Sequence, residues 1–262
     1  MKDRLKDLQR QKKQQSMLIA AAILAITIWS AIETNFSVGE LFKGGGEIFR
    51  FIIFDFLPPD FSRINNLIGP ALDTIYISFV AMVIGAFISM ILAFFAAATT
   101  APNKVIQVAV RAFSSVMRNI PTLIWAILLV FAYGLGTTVG CLALIITSIG
   151  TLTRAYAEIL EEIDMGQVEA VRATGASYFQ VLGQAVMPQF MPGFIGWSLY
   201  KLELNIRAST IIGMVGGGGL GFAIQKGIKL FQYQEVSMAI IMVILIVVMT
   251  EWTTSKIRER IL

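Results

Sequence analysis

The feature that most constrains this chain is a series of long apolar runs carrying almost no charge. Residues 17–32 contain no charged side chain, and residues 68–98 contain only Asp73. A helix needs about 20 such residues to cross the hydrocarbon core of a bilayer. Comparable runs at 120–133, 139–159, 190–215 and 235–252 bring the predicted number of spans to six. The 68–98 run exceeds one crossing, so it is expected to tilt or to extend into water. Composition points the same way: 56% of the 262 residues are hydrophobic and 15% charged, against about 45–50% and about 25% in soluble domains. An ordinary soluble enzyme is excluded, and disorder or nucleic-acid binding fits poorly. With no His and a single Cys, Cys141, the chain offers neither a disulfide framework nor the usual zinc, haem or His-based chemistry. No metal ligand, catalytic residue or cofactor of its own is therefore expected.

The basic residues give an orientation. If the N-terminus is inside, the inner segments hold 13 Lys and Arg and the outer segments 5, the asymmetry of a chain with both termini in the cytoplasm. The expected layout is a basic cytoplasmic tail (1–16), a retained first span (17–33) rather than a cleaved signal peptide, and an extracytoplasmic interfacial segment (34–67). A core at 68–255 and a cytoplasmic tail at 256–262 complete it. Gly44-Gly45-Gly46 and Pro58-Pro59 are expected to interrupt any helix in the interfacial segment. Residues 99–119, with Lys104, Arg111 and Arg118, read as a polar linker, and residues 216–234 as a Gly-rich loop.

Residues 161–189 lie on the inner side and connect the fourth and fifth spans. Twenty-nine residues are far more than adjacent spans need, so the segment is expected to receive a partner. Val168 and Val171, then Tyr178, Val181 and Leu182, recur at helical spacing and predict two short amphipathic helices. Gly175 sits between them, where a turn costs least, and Pro188 marks the entry to the next span.

Glu169, Ala170, Gly175 and Pro188 fall at the spacing of the cytoplasmic loop in ATP-binding-cassette importer permeases, which this segment resembles. Val171, Ala185 and Met187 depart from that pattern by small or apolar replacements. The resemblance implies an all-α integral membrane protein with the type I, MetI-like permease fold. It also implies a coupling loop of Glu169, Ala170, Val171, Gly175 and Pro188 that seats in a separate ATPase. Further motifs look like phosphonate-importer permeases and their phosphite and hypophosphite relatives. These are Arg118-Asn119-Ile120-Pro121, Gly134-Leu135-Gly136, Asn205 through Thr210, and Val215 through Gly221, with Pro58-Pro59-Asp60-Phe61 in the outer segment. The implied partners are a second permease subunit, identical or not, two ATPase subunits that bind the ATP and Mg²⁺, a periplasmic or lipid-anchored binding protein, membrane lipid, and a phosphorus oxyanion as substrate. Methionine-importer permeases share the Gly-rich run, so methionine or another small solute is the alternative cargo.

The fifth span carries Lys201, Glu203, Asn205 and Arg207, each costing on the order of 2.5–3.5 kcal/mol at the bilayer centre if it faced lipid. They are expected to face protein or water. One reading places Asn119, Pro121, Glu203, Asn205, Arg207, Ser209 and Thr210 along a translocation path. The other pairs Glu203 with Arg207, four residues on, as a structural ion pair. Arg154 is expected to snorkel or to pair with Glu158. Gly216, Gly217, Gly218 and Gly219 lack the Lys-Ser/Thr ending of a phosphate-binding loop and are read as a close-packed, flexible outer gate. From a different class, an intramembrane hydrolase would use Ser198 or Ser209 with Lys201 as base.

Overall fold

The computed structural model describes residues 2–261, with the side chains of residues 12–37, 39 and 43–261. All regular structure among them is helical, as a chain that must satisfy its own backbone in lipid requires. The chain divides into two units between Asp55 and Phe56.

The first unit holds α1 (Lys2–Glu33) and α2 (Val38–Arg50). The predicted tail and first span are one uninterrupted helix, whose segment Lys12–Glu33 is long and apolar enough to cross a membrane. Two of its polar side chains are satisfied locally: the Thr27 hydroxyl donates to the Ile23 carbonyl at 2.8 Å, and the Trp29 indole donates to Glu33 at 3.2 Å. The expected break at Gly44-Gly45-Gly46 is absent, because α2 runs through all three. Glycine lowers helix propensity by about 1 kcal/mol per residue but creates no clash, unlike proline. Helical backbone stops only at Leu57, before Pro58-Pro59.

The second unit is built on α3 (Ile64–Ala96) and α6 (Thr137–Glu161). The stripe of α3 turned inward is mostly small residues, among them Ser78, Ala81, Gly85, Ser89 and Ala93. A Cβ on Gly85 would lie 2.5 Å from that of Ser148 on α6. Apolar surface gains little by leaving lipid, so close backbone approach supplies the packing energy instead. The large side chains of α3, including Phe79, Val83 and Phe87, point outward.

Residues 99–119 are not a linker. They contain α4 (Lys104–Asn119), whose N-terminus is capped by Asn103 accepting from the Ile106 amide at 2.8 Å. Its amphipathicity is inverted relative to a soluble helix: Gln107 and Ser114 are buried, while Val105, Val108, Phe113 and Val116 are exposed. Counting polar residues suggests a solvated connection, whereas the structure forms a helix whose apolar residues face outward from the unit. At Ile120-Pro121 the chain bends by 86° into α5 (Thr122–Tyr133). Gly134-Leu135-Gly136 then turns it into α6, as expected.

After α6 come α7 (Met165–Ala173) and α8 (Tyr178–Val181), then a widened helical turn leading into α9 (Met187–Ile212). A second widened turn, Gly213–Gly217, leads to α10 (Gly219–Lys229), bent by 53° from the preceding helix, and α11 (Tyr233–Ile261) closes the core. Among the described residues four helices are long and apolar enough to cross a membrane, and the count reaches six if each of the two bent pairs is one span.

Candidate functional site

The segment between α6 and α9 holds the two predicted short helices, folded against each other as an elbow. Asp164 caps α7 by accepting from the Gly166 amide at 2.8 Å, while its own amide donates to Gln189 at 2.9 Å. The Gln189 side chain also donates to the Ala185 carbonyl at 2.8 Å, so one residue ties the entry of the elbow to its exit. Sequence reasoning missed Gln189, since nothing in its local pattern marks a contact 25 positions away. Gly175 makes the turn with φ of +82°, and its amide donates to Arg172 at 3.0 Å. Ser177 and Gln180 form a capping box that starts the second arm.

Val168, Val181 and Ala185 make a small buried core between the arms, with Val171 and Val186 against it. Tyr178 was expected on that apolar face. Instead it is exposed, as is Phe179 beside it, with the rings edge to face at 5.7 Å. Glu169, Ala170, Gly175 and Pro188 are exposed and Val171 is half-buried. Pro188 is the second residue of α9, at the entry to the fifth span as expected, although helical backbone already begins at Tyr178 and reaches α9 through a widened turn. The widened turn at Leu182–Val186 comes just before Pro188, where the missing amide hydrogen and the ring clash must be absorbed.

The elbow is joined to the core at Glu161. Its carboxylate accepts from the Ala98 amide at 2.5 Å and pairs with Arg111, whose Nε donates to the Ala96 carbonyl at 2.7 Å. The end of α6, the end of α3 and the middle of α4 therefore meet at one carboxylate.

The polar residues of α9 separate into two sets. Asn205 is fully buried, and its amide reaches the Ser148 hydroxyl at 3.2 Å and the Ser78 carbonyl at 3.4 Å, linking α9 to α6 and α3. Ser209 is buried and donates to Ile206 at 2.7 Å. Glu203 is buried but does not pair with Arg207. It accepts from Arg258 at 2.6 Å and from Thr254, both on α11. Arg207 instead reaches Glu251 at 3.1 Å, with both side chains about half exposed. Helical spacing made the i,i+4 pair plausible, but α11 brings its own carboxylate and guanidinium to the same surface. Arg154 does pair with Glu158, at 2.7 Å. Thr210 is half-buried, and Asn119 is exposed and donates to Ser115 at 3.2 Å. Pro121 stands at the bend between α4 and α5.

The glycine run is a close-packed kinked turn, and most of the 216–234 stretch expected as a loop is the helix α10. The Gly216 carbonyl accepts from Gly136 at 2.9 Å, and with φ of +108° its missing Cβ would fall 2.1 Å from Leu135. A Cβ on Gly140 would meet the Gly217 carbonyl at 2.3 Å, and the Leu220 amide donates to Thr74 at 2.9 Å. Gly216, Gly217, Gly218 and Gly219 thus seam the α5–α6 turn and α3 to the start of α10.

The hydroxyls proposed for a hydrolase are engaged elsewhere. Ser198 lies 2.7 Å from the Tyr156 hydroxyl and donates to the Phe194 carbonyl, while Lys201 is buried without a hydrogen-bond or ion-pair partner among the described residues. A Ser–Lys dyad requires the two to share a hydrogen bond, and neither serine bonds the lysine.

Residues 89–257 match the family described as the binding-protein-dependent transport system inner membrane component, and the chain belongs to that family. It is 38% identical over 203 residues to a phosphite transport system permease protein of Stutzerimonas stutzeri, covering 78% of this chain and 74% of that one. It is 36% identical to a phosphate-import permease protein of Mycolicibacterium smegmatis, covering 85% of this chain but 41% of that longer protein. Among solved structures, the fold matches a chain of the inward-facing MetNI methionine ABC transporter with a TM-score of 0.65 and 20% identity, covering 78% of this chain and 99% of that one.

Proposed function

We propose that this chain is the membrane permease subunit of an ATP-driven importer for phosphonate or a related phosphorus oxyanion such as phosphite or hypophosphite. The observation that carries this reading is the 38% identity to a phosphite permease. A methionine transport permease of Pasteurella multocida reaches 29% over a similar share of the chain, so the oxyanion is favoured over methionine. The partners are those expected of such a subunit: a second permease, two ATPase subunits that bind ATP and Mg²⁺, and an extracytoplasmic binding protein.

In this reading the termini and the elbow are cytoplasmic, and Tyr178, Phe179 and Glu169 are the elbow's outward face toward the ATPase. Helical backbone runs from Tyr178 to Val215, where the kink at Gly216 ends it, about 57 Å at 1.5 Å per residue. A displacement of the elbow by the ATPase is therefore delivered along one lever to Arg207 and then to the glycine seam at its far end. Arg207 and Thr210, the open polar positions of α9, line the anion path. Asn205, Ser209 and Glu203 hold the lever to its neighbours. Gly216 through Gly219 act as an outer gate by separation of close-packed backbones rather than by loop flexibility.

The test is growth. Cells lacking their own oxyanion importers, supplied with this chain and its co-encoded ATPase and binding protein, should grow on phosphite or a phosphonate as sole phosphorus source. Rescue of a methionine-uptake mutant without rescue on phosphorus would assign the alternative cargo.

A further inference from the structure

Between α4 and α6 lies a cleft of about 300 Å³ whose polar lining includes Arg111, Ser114, Ser115, Arg118, Arg154 and Glu158. Its volume is about ten times the roughly 30 Å³ share of one liquid water, so a small ion can enter with part of its hydration. The α4–α6 contact that forms one wall is very close, since a Cβ on Gly150 would lie 2.6 Å from the Arg118 amide nitrogen.

Charge in the cleft is not balanced. Arg154 is held by Glu158 at 2.7 Å, and Arg111 is held by Glu161 from the side. Arg118 has no carboxylate within ion-pair distance among the described residues, although both its neighbours do. Ser114 spends its hydroxyl hydrogen on the Arg111 carbonyl at 3.0 Å. Ser115 accepts from Asn119 at 3.2 Å, which leaves its own hydrogen available to the cleft. The residual chemistry is one guanidinium fork and one hydroxyl donor, with a single net positive charge left once Arg111 and Arg154 are paired with Glu161 and Glu158. Planar forks of this kind recognise tetrahedral oxyanions by paired, charge-assisted hydrogen bonds.

We propose that this cleft binds a phosphate-type oxyanion, with Arg118 as the principal ligand and Ser115 as a second donor. The ion is either a free phosphorus oxyanion or the phosphodiester of an anionic lipid. The exposed Val105, Val108, Phe113 and Val116 of α4 place an apolar, lipid-facing surface on the same helix, and basic pockets between helices at the membrane edge hold lipid headgroups. The site's cytoplasmic position rests on the proposed orientation, but its affinity for an oxyanion does not.

The experiment uses the full chain in nanodiscs of phosphatidylcholine alone, titrated with inorganic phosphate at constant ionic strength. Phosphatidylglycerol retained through purification is counted separately by mass spectrometry. Saturable phosphate binding weakened roughly tenfold or more in Arg118→Gln, and unchanged in an Arg50→Gln control, identifies a free-oxyanion site. A silent phosphate titration with phosphatidylglycerol retention lost in Arg118→Gln identifies a lipid site. Should Arg118→Gln misfold, Arg118→Lys keeps the charge without the fork, and Ser115→Ala removes the hydroxyl; each is expected to weaken the same signal. Wild-type behaviour of these variants in both measurements overturns the proposal. The titration contains no ATPase, binding protein or ATP, so failure of oxyanion uptake would leave it untouched, and its own failure would leave the transport reading intact.

Discussion

Arg258 donates to Glu203 at 2.6 Å across 55 positions of sequence, joining the last turns of α11 to a carboxylate buried in the middle of α9. Thr254, one turn earlier on α11, bonds the same carboxylate oxygen. Glu203 is 8% exposed, and the cation one turn further along the helix, Arg207, is committed to Glu251. The two contacts make α11 the element that neutralises α9, and α9 is the helix that leads from the elbow.

Removing the cation should therefore cost more than removing the pair. Arg258→Met leaves a buried carboxylate uncompensated, a loss of about 3–5 kcal/mol in comparable buried pairs. Adding Glu203→Gln to that variant should recover most of it. Thermal unfolding in detergent measures both, and equal stability of the single and double variants would show that the pair is not coupled.

Backbone contact at the glycine seam gives a second expectation. A Cβ on Gly221 would lie 1.8 Å from the Thr210 carbonyl oxygen, whereas one on Gly196 would meet nothing within 4 Å. Gly221→Ala should destabilise by at least the roughly 1–3 kcal/mol typical of overpacking, and Gly196→Ala should be close to neutral. Yields of folded protein by fluorescence-detected size exclusion separate the two.

The spans were legible because long uncharged runs leave a helix few alternatives, and the elbow because its helical spacing and turn glycine are local signals. The linker reading of 99–119 failed on the direction of amphipathicity: Gln107 and Ser114 point in and Val105 and Val116 out, and a polar count cannot distinguish that from a solvated strand of chain. The 216–234 reading failed because glycines that permit close contact look, in sequence, like glycines that permit motion. Partners of Glu203, Asn205 and Gln189 were beyond reach, since each is chosen by a residue brought alongside only by the packing of the helices.

At the elbow, Gly175 has φ of +82° and no atom within 4 Å of its missing Cβ, so a substitution there acts on the backbone alone. Gly175→Val should strain the turn by about 1–2 kcal/mol and lower substrate-stimulated ATP hydrolysis in the assembled complex. Gly175→Asn, which tolerates this conformation, should keep most of it. Equal hydrolysis in both variants would show that the turn does not shape the coupling surface.

Arg207 tests the path. Its ion pair with Glu251 is about half exposed, so Arg207→Ala should change stability by less than about 1 kcal/mol. Uptake should nonetheless fall, and more than in Glu251→Ala. A fall in yield that fully accounts for lost uptake would make the residue structural.

The central claim is that this chain carries a phosphorus oxyanion across the bilayer under the drive of a separate ATPase. Proteoliposomes containing the chain with its co-encoded ATPase and binding protein, loaded with ATP on the ATPase side, measure it directly through accumulation of radiolabelled phosphite or phosphonate. The account predicts ATP-dependent accumulation that excess unlabelled phosphonate suppresses and methionine leaves alone. Accumulation of methionine instead, or oxyanion flux that continues without ATP, would contradict it.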